Sequence, residues 1–423
     1  MEFYKETRFK NSEIGEVPED WKVVRLEDIA EKMYYGITAK AVNYDTGLKM
    51  VRTTDIINYK VDWENLPFCE ITDNRKDFSK YLIKKDDILI SRAGTVGISV
   101  LSEQDYNNVI FGSYLIKLQL KPKAFPKYVH YFLQSEHYWK HIGKAQGSTL
   151  KNINLPLLKS LIIPLPPIEE QQKIAEILRK TDEAIQKVDE SIEKFEKLKK
   201  GLMNILLNGK VRAKVENGKI YFYKETKFKK SEVGEVPEDW EVVRLIDVAE
   251  YINGYAFSPK DWKDKGLPII RIQNLNDPKA EFNYFDGVID NKYIVENGDI
   301  LFSWSASIGV YIWNRGRAVL NQHIFKVVPK NNVNKLFLYY ALFLAIEQLK
   351  NRVHGSTMKH FKRSELNTTF IPLPPLEEQK AIAEILSKID KVIQLKKEKK
   401  EKLQKIKKWF MGNLLTGKVR IRL

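Results

Sequence analysis

The strongest constraint on this chain is that it contains the same material twice. Tyr4–Glu31 (YKETRFKNSEIGEVPEDWKVVRLEDIAE) returns as Tyr223–Glu250 with 22 of 28 positions identical, and Ile163–Asp182 (IPLPPIEEQQKIAEILRKTD) returns as Ile371–Asp390 with 15 of 20 identical. The first pair is offset by 219 residues and the second by 208, so the second copy is 11 residues shorter between its repeated segments. This period is far too long for a solenoid unit, and each copy is large enough to enclose its own core. The order is frame, variable body and helical arm, then the same again. Such a chain is a pseudo-dimer with approximate two-fold symmetry.

Each arm begins with a Pro-Pro pair (Pro166 and Pro167; Pro374 and Pro375) followed by Glu-Glu-Gln, a helix start with acids in the first turn. Ile174, Leu178, Thr181, Ile185, Val188, Ile192, Phe195 and Leu202 then recur at steps of three and four, a coiled-coil seam. Gly209 and Gly417 follow as left-handed caps. The second arm keeps Ile382, Leu386, Ile389, Ile393 and Leu403, but Lys396 and Lys400 stand where Val188 and Ile192 do. Neither helix is stable alone, so the arms should pair with each other. The two-fold relation makes that pairing antiparallel. The expected architecture is α/β (α+β): two similar domains at opposite ends of a long two-helix coiled coil. Its segments are 1–162 (first frame and body), 163–209 (first arm), 210–222 (a linker), 223–370 (second frame and body), 371–417 (second arm) and 418–423 (a tail).

The net charge of +16 is unevenly spread. Lys and Arg exceed Asp and Glu by 7 in the body Lys32–Ile162 and by 6 in the body Tyr251–Phe370. A polyanion touching both bodies explains this, and nucleic acid is the usual one. The longest apolar run, Leu336–Ile346, has 11 residues and is too short to cross a bilayer. The one cysteine, Cys69, excludes an internal disulfide and a multi-cysteine zinc site. With no charged-then-apolar N-terminal segment, it points to a reducing cytoplasm.

Each body alternates β-rich runs (Lys49–Arg52, Asp87–Ser91, Gly97–Leu101 and Tyr114–Leu120; Pro268–Ile272, Asp299–Ser303, Gly309–Trp313 and His323–Val328) with helices at Pro126–His141 and Asn334–Asn351. Shared landmarks show one scaffold: Arg52 with Arg271, Asp87-Ile-Leu with Asp299-Ile-Leu, and Gly147-Ser-Thr-Leu-Lys with Gly355-Ser-Thr-Met-Lys. Between landmarks the polar residues differ. Thr54 and Asp55 correspond to Gln273 and Asn274, Arg92 to Trp304, and Ser113 to the neighbourhood of Asn321 and Gln322. One scaffold with two sets of polar tips suits a protein reading two short DNA sequences, because such side chains identify base edges. Ser148, Thr149 and Lys151, with Ser356, Thr357 and Lys359, fit phosphate contacts. The aromatic residues Tyr34, Tyr35, Tyr255 and Phe257 read as core or base contacts.

The duplicated IPLPP[IL]EEQ leading into a heptad arm, GSTxK about twenty residues earlier, and a frame ending PEDW[KE]VVRL resemble the specificity subunit of Type I restriction-modification enzymes. The resemblance covers essentially the whole chain. It implies a non-catalytic DNA-binding subunit with two target-recognition domains, each reading half of a bipartite asymmetric site, the arms acting as spacer. It also implies two methyltransferase subunits held by frames and arms and, through them, restriction subunits. The near-identical Glu169, Glu170, Gln171 and Glu377, Glu378, Gln379 are candidate docking residues, since one sequence at two symmetric places suggests one ligand bound twice.

Catalytic signatures are missing from the sequence. There is no GxGxxG, no Asn-Pro-Pro-aromatic tetrapeptide and no GxxxxGK[ST] phosphate loop, and no cofactor is implied. His137 and His141 lie four apart on a helix without an evident third metal ligand. Two alternatives stay open at this point. A self-contained nuclease or methyltransferase would turn over alone with DNA, Mg²⁺ and S-adenosylmethionine, whereas a basic coiled-coil scaffold would bind random DNA in a salt-sensitive, sequence-blind way.

Overall fold

Short apolar runs build the body in each half, and the alternation of side chains along them sets its layers. The structure, a computed structural model, describes residues 2–72, 77–144, 152–352 and 361–422. It divides into two units, Met1–Asp189 with Glu398–Leu423 and Glu190–Lys397, so the boundary falls within both arm helices.

In the first unit an antiparallel sheet has the order Ser99–Leu101, Ile88–Ser91, Leu115–Leu120, Ala30–Tyr35. A second sheet has the order Val109–Phe111, Lys49–Val51, Phe68–Ile71, Ala39–Val42, its first two strands parallel. Ile88–Ser91 is buried along its whole length. Successive residues of a strand face opposite ways. Ile88 and Ile90 therefore enter a core with Trp21, Leu118, Ile174 and Leu178, while Leu89 joins Val51, Ile110 and Phe111 in another. The first sheet is thus the middle layer, with the second sheet on one side and helices on the other. In its middle Lys117 pairs with Asp87 (2.7 Å), both side chains almost wholly buried. Burial pulls the Lys117 ammonium below its usual pKa, and Asp87 opposes that shift. The helix expected at Pro126–His141 is two, Pro126–Phe132 and Glu136–Lys144, because the Ser135 hydroxyl accepts the Tyr138 N–H (3.3 Å) and restarts the coil.

The second unit repeats the plan. Ala249–Asn253, Ile324–Pro329, Ile300–Ser303 and Gly309–Ile312 form the middle sheet; Asn283–Phe285, Leu267–Ile270, Ala318–Leu320 and Ile294–Val295 form the other, with Leu267–Ile270 parallel to Ala318–Leu320. Ile300 and Phe302 enter the core of Trp240 and Leu386, and Leu301 that of Ile270 and Leu320. Asp299 again holds lysines, Lys326 at 3.3 Å and Lys335 at 3.1 Å. The Asp-Ile-Leu landmarks are therefore ion-pair positions, buried in the first body and partly exposed in the second. Among the described residues a small hairpin, Ile56–Ile57 with Lys60–Val61, is found in the first body alone, following a single 3-10 turn at Thr53–Asp55; at that place the second body has the longer helix Ile272–Asn276. Landmark offsets fall from 219 at Asp55 to 212 at Asp87, so seven of the 11 missing residues are lost there.

The repeated frame and arm sequences are spent on one another. Trp21, fully buried, donates to Glu170 (3.2 Å), and Trp240 to Glu378 (3.1 Å). The stretches read as linker and tail are strands: Val211–Glu216 pairs with Lys219–Lys224, and Val419–Ile421 with Phe3–Lys5. They deliver Arg212 and Arg420 into matching clusters. Arg420 donates to Glu170 (2.7 and 3.0 Å), Asp20 (2.8 and 2.9 Å) and Glu6 (3.0 Å). Arg212 does the same with Glu378, Asp239 and Glu225. Burial works against both guanidinium charges, but the bonded carboxylates outweigh it and raise their pKa.

The arms are 39-residue helices, Ile168–Leu206 and Leu376–Leu414, each about 58 Å long at ~1.5 Å per residue. In the first unit Asp182 pairs with Lys407 (2.7 Å) and Asp189 with Lys400 (2.6 Å); in the second, Lys199 pairs with Asp390 (2.6 Å) and Glu196 with Lys397 (3.0 Å). In each unit one number rises as the other falls, so the helices run antiparallel there. Of the expected seam, Ile174, Leu178, Thr181, Val188 and Ile192 are buried, while Ile185, Phe195 and Leu202 are half-buried. Lys400 is accommodated by its ion pair, and Lys396 by lying 5.2 Å over the Phe195 ring. A tyrosine ties each body to the helix pair: Tyr131 donates to Asp182 (2.9 Å) and Tyr340 to Asp390 (2.7 Å). Gly209 and Gly417 have φ of +68° and +71°, and an added Cβ would lie 2.4 Å from Pro237 and Pro18 respectively, so two independent constraints demand glycine. Among the described residues no helix is long and apolar enough to cross a membrane.

Candidate nucleic-acid interface

Because Lys49–Val51 and Val109–Phe111 run parallel, their following loops leave the sheet side by side, and the Gly112 N–H donates to the Val51 carbonyl (3.0 Å). The loop after Ile88–Ser91 joins them: Arg92 N–H donates to Tyr114 O (2.9 Å), and the Thr95 hydroxyl to Thr53 O (3.1 Å). Ile153 N–H closes the edge on Arg92 O (2.8 Å). Arg52, Thr54, Asp55, Arg92 and Ser113 are thus brought to one edge of the first body.

The second body makes the same bonds: Asn321 N–H to Ile270 O (3.1 Å), Trp304 N–H to His323 O (3.3 Å) and Phe361 N–H to Trp304 O (2.8 Å). Arg271, Gln273, Asn274, Trp304, Asn321 and Gln322 gather there. Both edges depend on a glycine. A Cβ on Gly36 would sit 2.2 Å from Gly112 O, and one on Gly254 2.1 Å from Asn321 O.

The shared backbone carries different chemistry. The Arg92 guanidinium lies 4.4 Å over the Tyr35 ring, whereas the Trp304 indole N–H donates to Asn253 Oδ1 (3.2 Å). These are the same two positions in each body, exchanged together. The arginine at the first tip, Arg52, is held by Asp55 (2.8 and 3.0 Å), a bond that raises its pKa. Arg271 is held by Asn283 (2.8 Å) and stacks 5.0 Å over Trp262.

Two tip residues turn inward. Asp55 and Asn274 accept the backbone N–H of Arg52 (2.8 Å) and Arg271 (3.0 Å), so each closes its own turn. Asn274 is also buried, donating to Ala280 O and Glu281 O, and cannot meet a ligand. Their neighbours Thr54 and Gln273 are exposed. Ser113, Asn321 and Gln322 are half-buried, and the open residues of those turns are Tyr114 and His323. Tyr34 and Phe257 pack into cores, Tyr35 takes part in the edge, and Tyr255 is exposed. Ser148, Thr149, Lys151, Ser356, Thr357 and Lys359 lie outside the described residues. Among the described residues no cluster of three His, Cys, Asp or Glu could hold a metal.

The docking candidates also divide. Glu170 and Glu378 are locked by arginine and tryptophan, and Gln171 and Gln379 are buried, capping backbone groups of Phe125, Lys123 and Pro166 and of Asn334, Asn332 and Pro374. Only Glu169 and Glu377 of the six are exposed. Sequence reading overlooked Arg212 and Arg420, although the repeated LL[NT]GKVR carried the signal, and it overlooked Gly36 and Gly254.

The family of the Type I restriction modification DNA specificity domain matches residues 18–196 and 237–405, one stretch per copy. This chain belongs to that family. A specificity subunit of Methanocaldococcus jannaschii, the putative type I restriction enzyme MjaX subunit, is 35% identical, the alignment covering 100% of this chain and 99% of the relative. The MjaVIII specificity subunit of the same organism is 31% identical over 100% of this chain and 98% of its own length. The crystal structure of the S subunit from M. genitalium has a similar fold, with a TM-score of 0.57 at 16% identity over 93% of this chain and 96% of its own. Specificity subunits are the non-catalytic, sequence-reading members of type I systems. The two-domain layout with paired long helices is theirs, and the duplicated loop edges belong to a protein that recognises DNA sequence.

Proposed function

We propose that each loop edge reads one half of a bipartite, asymmetric duplex DNA site, with Arg52, Thr54, Arg92, Ser113, Arg271, Gln273, Trp304, Asn321 and Gln322 among the contacting residues. The observation that carries this reading is the paired exchange of Arg92 and Tyr35 for Trp304 and Asn253 on one backbone. A scaffold kept while its tips change in concert supports two readers of different sequence. Ser148, Thr149, Lys151 and their counterparts Ser356, Thr357 and Lys359 remain candidates for phosphate contacts.

The chain works in the cytoplasm with two copies of a methyltransferase subunit and, through them, restriction subunits. Support comes from apolar surface exposed at matching places: Phe3 and Tyr4 match Phe222 and Tyr223 on the frames, and Ile406 matches Leu198 on the arms. Glu169 and Glu377 lie at the exposed arm starts. Charge reversal at Glu169 should weaken one partner copy and at Glu377 the other, read as complex mass by native mass spectrometry. Saturation at one partner would remove the symmetric docking.

The half-site reading is tested by replacing Tyr251–Phe370 with another body and mapping the methylated bases in host DNA. One half-site should change while the other stays. Loss of both by a folded chimaera would overturn the reading.

A further inference from the structure

Resting on the half-site reading, we infer that one exposed aromatic residue in each body, Tyr114 in the first and His323 in the second, is a specificity-determining contact to a base pair of duplex DNA. Both bodies follow the strand Val109–Phe111 or Ala318–Leu320 with a four-residue turn closed by a backbone bond, Leu115 N–H to Gly112 O (2.9 Å) and Ile324 N–H to Asn321 O (3.2 Å). The third residue of each turn is aromatic and open to solvent, with Tyr114 64% exposed. The turns are stiff. The carbonyl that starts each one lies so close to Gly36 or Gly254 that no Cβ fits between, and the carbonyl of the aromatic residue itself accepts the N–H of Arg92 or Trp304.

Neither aromatic belongs to a core cluster, yet the same backbone position keeps one in both bodies while its chemistry changes from phenol to imidazole. Each ring offers a flat apolar face and a polar atom at its rim, which suits contact with a base edge. The residue bonded to each aromatic's carbonyl differs in step: Arg92 carries its guanidinium over the Tyr35 ring, whereas the Trp304 ring lies 5.2 Å from that of His323. Two positions, differently filled, give each edge its own preference.

The test uses the full chain with its methyltransferase subunits and a duplex DNA library randomised over 40 base pairs. Bound DNA is sequenced for the natural protein and for Tyr114→Ser and His323→Ser, which suit an exposed turn; thermal midpoints and Tyr114→Phe serve as folding checks. Tyr114→Ser should flatten the preference at one or two adjacent base pairs of one half-site and weaken the natural site roughly tenfold to hundredfold, the range of a single mismatched pair. His323→Ser should do so in the other half-site. Unchanged preference in both variants would overturn the inference while leaving the half-site reading intact. Uniform weakening across all sequences with a shallower salt dependence would also overturn it, since that marks a phosphate contact. A natural protein that enriches no bipartite sequence would overturn the underlying reading itself.

Discussion

Replacing Arg420 by methionine tests whether the repeated frame and arm sequences are conserved within the chain for an internal lock. Arg420 satisfies Glu170, whose side chain is 1% exposed, Glu6 at 10%, and Asp20 at 54%. Asp20 can be rehydrated where it stands. Glu170 cannot, and it keeps only the Trp21 indole as donor among these bonds. Removing one partner of a buried ion pair costs about 3–5 kcal/mol, because the remaining charge is left without compensation. Arg420→Met should therefore raise the opening equilibrium of the frame by about 100- to 5,000-fold. Native-state hydrogen exchange reads this directly, at the amides of Phe3–Lys5, Val419–Ile421 and Lys22–Arg25. Arg212→Met should produce the same change at Val211–Glu216, Lys219–Lys224 and Glu241–Arg244. Adding Glu170→Gln to Arg420→Met removes the stranded charge and keeps an acceptor for Trp21, so about 2 kcal/mol should return. A cost below about 1 kcal/mol, as for an exposed pair, or strict additivity of the two substitutions, would refute the buried-charge argument.

Gly36→Ala should collapse the first recognition edge, since the new Cβ would meet Gly112 O at 2.2 Å; a cost of at least about 1–3 kcal/mol is expected, with methylation at one half-site lost and a normal profile contradicting it. Burial pushes the His130 imidazole down to about 4, with the Ser99 carbonyl at 3.4 Å opposing and Lys407 and Lys127 adding to the shift. The unfolded imidazole takes a proton below about pH 6.5, so the stability due to neutral His130 is complete above that pH and is lost as pH falls to about 4. That is about 3 kcal/mol; urea unfolding of His130→Phe should show a correspondingly smaller acid loss, and parallel curves would contradict this. Since the helices pair antiparallel in each unit, a heptad inserted after Lys187 needs a matching one near Lys402. The coil then grows by about 10 Å, or about three base pairs, and the gap in the recognised site should widen equally; an unchanged gap in a folded variant would show that the arms set no spacing.

The sequence by itself determined what depends on neighbours along the chain. The duplication required two similar bodies, the steps of three and four at Ile174, Leu178 and Thr181 marked a buried helical seam, and LL[NT]G placed the caps at Gly209 and Gly417. The landmarks also located the loops that form each edge, because the turns following alternating apolar runs are local events. Tertiary structure decided which side chains those loops leave open. Asp55 and Asn274 look like surface contacts in a row of polar residues, but each closes the turn that begins three residues earlier. Glu170 lies 250 residues from Arg420 and Glu378 lies 166 from Arg212, so no local pattern could distinguish these buried carboxylates from the exposed Glu169 and Glu377 beside them. The joint exchange of Arg92 with Tyr35 for Trp304 with Asn253 is likewise visible only in space. Periodicity and capping act over a few residues, where backbone geometry dictates them; the choice of partner across the chain belongs to the packing that brings distant strands together.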